Sequence, residues 1–189
     1  MTSLPLKGKP MRFLVASLVL GLCSLVCPSV EAQFASPSPE HEVLKKDVGT
    51  WKAKMTMWEG EGEPAMEAEG VETNRMMGDF WIVSTFKMDF GGMPFEGHGT
   101  NGYDPKTEKF VGSWVDSTSP YAMHMTGTYD EKTSTFTFKS EGLGPDGQPT
   151  KGKSVIVYKD DDHRTFTMYD IVDGKEVKKM VVEYERTKK

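Results

Sequence analysis

The stretch FEGHGTNGYDPKTEKFVGSW, residues 95–114, holds Gly97, Gly99 and Gly102 in the spacing G-x-G-x-x-G. That spacing also marks dinucleotide-binding turns. There, a strand runs into a helix whose N-terminus meets a pyrophosphate, and an acidic residue follows about 20 positions on. No helix follows Gly102. YDPKTEKFVGSW reads as a charged turn and then a second strand, so the glycines lie within or beside a strand. Gly97 and Gly99 then share one face, where their missing side chains permit a bend or the close approach of another backbone. The nucleotide reading falls, and an α/β oxidoreductase falls with it.

The period-2 texture extends on both sides of this stretch. Trp51, Ala53, Met55 and Met57 alternate with Lys52, Lys54 and Thr56, and the same alternation returns in Phe80-Ile82-Phe86-Met88, Tyr121-Met123-Met125, Phe136-Phe138 and Met180-Val182-Tyr184. Turn sequences separate these runs: DPKTEK, DEKTST, GPDGQP, KDDDH and VDGKE, the last with an Asp173-Gly174 pair suited to a tight hairpin. Three hairpins repeat one layout, an aromatic residue, a charged turn and a phenylalanine: Tyr103 with Phe110, Tyr129 with Phe136, and Tyr158 with Phe166. The expectation is an all-β fold of eight to ten antiparallel strands. A meander must hide its edges, and closure removes them, so a single up-and-down barrel is expected. One short helix precedes it, capped by Ser38, with Pro39 in its first turn and Gly49 at its end.

The N-terminus has a different composition. Lys7, Lys9 and Arg12 precede an apolar run from Phe13 to Val26, too short to span a membrane, and Pro28 and Val30-Glu31-Ala32 follow. Residues 1–32 read as a secretory signal peptide cleaved near Ala32, residues 33–38 as a disordered Ser/Pro-rich leader, and residues 39–189 as the barrel domain. The expected destination is the bacterial periplasm or the secreted fraction. Both cysteines, Cys23 and Cys27, lie in the signal peptide, so the mature chain relies on burial rather than disulfides. The signal peptide takes three of the 23 basic and one of the 28 acidic residues, which leaves a net charge of about −7 and argues against nucleic acid or an anionic membrane as partner.

EHEVLKKDVGTW, GGMPFEGHGTNGYDPKTEKFVGSWVDS, GTYDEKTSTFTF, DDHRTFTMYD and VVEYER occur in that order and resemble the bacterial family catalogued as domain of unknown function 1579, over about residues 39–187. The resemblance implies a lipocalin-like (calycin-like) barrel and no particular activity. A broader similarity is to lipocalins, in which a short helix leads into G-x-W on the first strand and a late arginine covers that tryptophan. Gly49-Thr50-Trp51 and Arg186 stand at comparable places, which makes Trp51 and Arg186 the expected barrel-closing pair.

Chemistry-bearing motifs are sparse. His41, His98, His124 and His163 have no second histidine or cysteine nearby, no G-x-S-x-G elbow occurs, and Asp160-Asp161-Asp162 reads as a turn. Glu59, Glu61, Glu63, Glu67, Glu69 and Glu72 read as a solvated acidic hairpin. No catalytic residue, metal or cofactor is assigned, and the mature chain is expected to lack an integral membrane segment. The inward methionines and aromatics remain. Methionine adapts its shape, so Met55, Phe86, Met88, Trp114, Met123, Met125, Phe138 and Tyr184 are the expected contacts for a small apolar or amphipathic ligand, with a solid core as the alternative. Two further alternatives are a protein contact through a flap at residues 91–97, and an enzyme or haem or metal binder within the same barrel.

Overall fold

Alternation of apolar and polar residues from Gly49 onward becomes ten strands: β1 (Gly49–Met57), β2 (Met66–Met77), β3 (Trp81–Phe90), β4 (Met93–Asp104), β5 (Lys109–Asp116), β6 (Met123–Asp130), β7 (Thr135–Leu143), β8 (Pro149–Tyr158), β9 (His163–Val172) and β10 (Lys175–Lys188). The structure is a computed structural model that describes residues 35–60, 63–144 and 146–188; the signal peptide expected over 1–32 and the first residues of the 33–38 leader lie outside them. The strands form one closed antiparallel barrel in the order β1-β10-β9-β8-β7-β6-β5-β4-β3-β2. Closure is made by β10 on β1, with Trp51 opposite Arg186 and Met55 opposite Val182. Among the described residues no helix is long and apolar enough to cross a membrane.

The glycines of the opening stretch have a packing reason. Gly99 pairs with Trp114 across β4 and β5, and a Cβ on Gly97 would meet Trp114 Cη2 at 2.7 Å and one on Gly99 would meet Cε3 at 3.2 Å. The indole lies against two side-chain-free positions on the inner wall. Gly102 faces outward under the ring of Trp81, whose Cε3 a Cβ would meet at 2.6 Å. Asp173 and Gly174 both take positive φ, 51° and 76°, which is the two-residue hairpin that their sequence predicts.

The helix α1 (Pro39–Leu44) and a 3-10 turn, Lys45–Asp47, lie across one end of the barrel. Ser38 is the N-cap, and its N–H donates to His41 Nδ1 at 3.0 Å. His41 and Leu44 are buried, the imidazole standing edge-on to Phe80 and Tyr103 at 5.2 and 5.7 Å between centroids. Gly49, rather than simply stopping the helix, opens β1 with φ 128°, and a Cβ there would crowd Arg186 Nη1 at 3.0 Å.

Four details differ from the sequence reading. Phe80 and Tyr121 stand in turns just before β3 and β6. The 91–97 segment is no separate flap: Gly91 and Gly92 make the β3–β4 turn, held by the Gly92 N–H on Asp89 Oδ1, and Met93 already belongs to β4. Tyr103 and Tyr129 do pair with Phe110 and Phe136, but Tyr158 pairs with Arg164, and Phe166 pairs with Ile156. Glu72, assigned to a solvated hairpin, points inward opposite Trp51 and is 8% exposed, because β2 keeps its alternation through the acidic stretch.

Candidate functional site

The interior divides along the barrel axis. In the half under α1, Leu44, Ile82, Phe110, Phe136, Phe138 and Tyr158 form one buried cluster. Beside it lies a polar network built on Arg164, which is 4% exposed. Its Nη1 donates to Asp47 Oδ1 at 2.6 Å and its Nη2 to Glu72 Oε1 at 2.5 Å. The Tyr158 hydroxyl donates to Asp47 Oδ1 at 2.6 Å, the Tyr184 hydroxyl to Glu72 Oε2 at 2.8 Å, and Asn74 Nδ2 to Glu72 Oε1 at 2.7 Å. Among the described residues, Asn74 Oδ1 and Arg164 Nε are the members of this network left without a partner.

Two guanidinium groups approach Trp51, which is fully buried: Arg186 Cζ lies 3.9 Å and Arg164 Cζ 4.6 Å from the ring centroid. Arg164 also covers Tyr184 at 4.2 Å. Arg186 Nη2 donates to the carbonyls of Lys46 and Asp161, both at 2.7 Å, and Nη1 donates to the Val48 carbonyl, so one side chain joins the helical turn to the β8–β9 connection. The Trp51 indole N–H donates to the Asp47 carbonyl at 2.9 Å.

Burial governs the charges here. It pushes the Asp47 carboxyl above its ordinary range and Glu72 adds to that, while Arg164 and the Tyr158 hydroxyl pull the other way. Burial, followed by Asp47 for Tyr158 and Glu72 for Tyr184, pushes both phenols well above their usual value, so both stay donors. Burial opposes the Arg164 charge, but Asp47 and Glu72 outweigh it and hold the guanidinium protonated. The network is a structural plug.

The other half is apolar and less sealed. Trp51, Ala53, Met55, Phe86, Val182 and Tyr184 form its buried floor, and Met57, Met88, Phe95, Trp114, Phe166 and Met180 pack above them. Inward-facing Met66, Met88, Trp114, Met123, Met168 and Met180 are only half-buried, so the wall keeps accessible surface toward this end. Hairpin tips ring it with exposed apolar groups: Met93 at 65%, Val172 at 53% and Leu143 at 41%.

Each expected contact faces inward. Met88, Trp114, Met123 and Met125 are half-buried, while Met55, Phe86, Phe138 and Tyr184 are buried, and Tyr184 gives its hydroxyl to Glu72. Phe138 and Met125 belong with the half under α1. The sequence reading missed Arg164, Asp47 and Glu72. A signal was present: in the third aromatic-turn hairpin, Arg164 occupies the rung that Phe110 and Phe136 fill in the other two. The histidines stand apart from both regions except His41 under α1: His98, 2.9 Å from Glu96 Oε1, His124 and His163, the first residue of β9, are exposed on the outer wall.

The crystal structure of Rv2717c from M. tuberculosis has a similar fold, with a TM-score of 0.59 and 12% identity over 80% of this chain and 99% of that one. The structure of the S-type phycobiliprotein lyase CPES from Guillardia theta gives a TM-score of 0.54 and 14% identity over 79% of this chain and 93% of that one. No curated protein matches the chain. At these identities the likeness is one of fold. The family model described as "Protein of unknown function (DUF1579)" matches residues 36–186, and the chain belongs to that family.

Proposed function

We propose that this protein is an exported carrier or sensor that holds a small apolar or amphipathic molecule in the methionine-lined half of the barrel. One observation supports the reading: inward methionines and Trp114 keep accessible surface at the end away from α1, while the helix covers the other end over a buried cluster of Leu44, Ile82, Phe110, Phe136, Phe138 and Tyr158. Methionine suits such a wall because its unbranched, polarisable side chain adapts to varied shapes. The domain division, with a signal over 1–32 and the barrel from 39 onward, belongs to the same proposal and rests on the charged and apolar pattern of the first residues. The likeness to a phycobiliprotein lyase shows a related fold; the ligand reading rests on the lumen itself.

Native mass spectrometry of the protein purified from its host tests the binding, with 1-dodecanol titration followed by tryptophan emission as the second arm. Retained small-molecule mass, or saturable quenching that is lost in Trp114→Phe, is the expected result; an empty protein that takes up no neutral apolar probe overturns it. For export, N-terminal sequencing of the extracytoplasmic protein is expected to begin near Gln33.

A further inference from the structure

Two carboxylates stand on the inner face of the apolar half of the lumen. Asp116 on β5 shares its face with Trp114 and pairs with Gly97, and Asp170 on β9 follows Met168 on the inner face and pairs with Gly152 and Val177. In the ten-strand ring β5 and β9 are separated by β6, β7 and β8, which puts the two carboxylates on facing walls. Among the described residues one basic side chain shares this face by register, Lys175 opposite Val172, exposed at the hairpin end and in no ion pair with either aspartate; Arg164 lies in the plug, committed to Asp47 and Glu72.

The Asp116 carboxylate is oriented by neutral donors only, Trp114 Nε1 at 3.1 Å and the Thr118 N–H and hydroxyl at 2.9 and 2.6 Å. Asp170 makes no side-chain hydrogen bond or ion pair among the described residues. The tips around this end repeat the sign, with Glu59, Glu63, Asp89, Asp146 and Asp173 all exposed. The lysines nearest the rim are otherwise engaged or directed outward: Lys153 lies 2.9 Å from Glu176, Lys151 lies 3.8 Å from Glu141, Lys178 covers Trp58, and Lys179 donates to the Glu59 carbonyl. Lys175 opens β10 opposite Val172 and is exposed at the hairpin end.

An anion entering here loses its water and meets two like charges, whereas a cation finds carboxylates, an indole face and polarisable sulfurs. The acidic tips raise the local concentration of cations at the entrance. We infer that the ligand is a cationic amphiphile, an apolar chain or ring system bearing an amine, held with its charge between Asp116 and Asp170. This rests on the lumen binding proposed above and names the class of molecule it takes.

The test compares dodecylamine, 1-dodecanol and dodecanoate, each below its micelle threshold, by calorimetry on the wild type and on Asp116→Asn, Asp170→Asn and the double variant, with thermal melting to verify folding. Dodecylamine is expected to bind at least tenfold more tightly than dodecanol, with dodecanoate weakest. The double variant is expected to bring the amine down to the level of the alcohol without changing alcohol binding. Equal affinity for amine and alcohol in the wild type overturns the inference, as does an amine preference that survives in the double variant, which assigns the attraction to the acidic exterior. Failure of all three probes, dodecanol included, overturns the lumen reading itself, so the two failures are distinguishable.

Discussion

The two halves of this barrel are made by the same ten strands, yet they spend their inward positions differently. Under α1 the strands place Arg164, Glu72 and two tyrosines against Asp47 of the 3-10 turn in a nearly closed set of hydrogen bonds. Toward the hairpin tips they present methionines, Trp114 and two aspartates with part of their surface accessible. Charge buried this way is costly to desolvate and is held only by paired geometry, so the plug is rigid by necessity. A thioether wall has no such demand and tolerates an occupant of varied shape. The closed half is fixed by its paired charges, and the open half is where we propose that the ligand sits.

The largest test of the comparison is Trp51→Ala. It removes a fully buried indole that two arginines cover, and the expected loss is about 3–5 kcal/mol, read by denaturant unfolding. An unchanged midpoint would mean that this end does not hold the barrel closed. Arg164→Met is expected to cost a similar or slightly smaller amount, about 3–4 kcal/mol, because Asp47 and Glu72 lose their cation. The triple variant that also makes Asp47→Leu and Glu72→Met is expected to be more stable than the single one, since it leaves no uncompensated buried charge. A triple variant as unstable as the sum of its parts breaks the plug account.

In the open half, Gly97→Ala forces Trp114 off the β4 wall and is expected to cost about 1–3 kcal/mol, with a shifted tryptophan emission as its second signature. The smallest effect is one of pH. Asp47 titrates above its ordinary value in the folded state, so its contribution is fully present below about pH 3.8 and is lost as pH rises through the raised value. The difference in stability between wild type and Asp47→Asn is therefore expected to move in favour of the variant as pH rises from 3 toward neutrality. A difference that moves the other way would show that the Arg164 pairing outweighs desolvation at this site.

How legible was this in the chain? Strand alternation exposed the meander because side chains on a pleated strand change face at each residue, and turn chemistry at Asp173-Gly174 marked its hairpin. The inward positions Met88, Trp114 and Met123 followed from the same parity. Glu72 was hidden by composition: it sits among exposed glutamates, and only its partners across the lumen, 92 and 112 residues away in the chain, make an inward carboxylate affordable. Arg164 was hidden for the same reason, although its place in a repeated hairpin layout gave a faint sign. Asp116 and Asp170 had no mark at all in sequence, since a lone carboxylate on a strand reads as solvated until the barrel closes around it.

The order of amino acids by itself determined the strands, their faces, their turns and the room that Gly97 and Gly99 leave on the inner wall. Those properties arise from neighbours one to four positions apart, or from the absence of a side chain. Only the tertiary structure decided which end is sealed and which inward charges are paired. Those outcomes depend on contacts across the lumen between strands distant in the chain, and desolvation, which sets the cost of a buried charge, exists only once those strands have met.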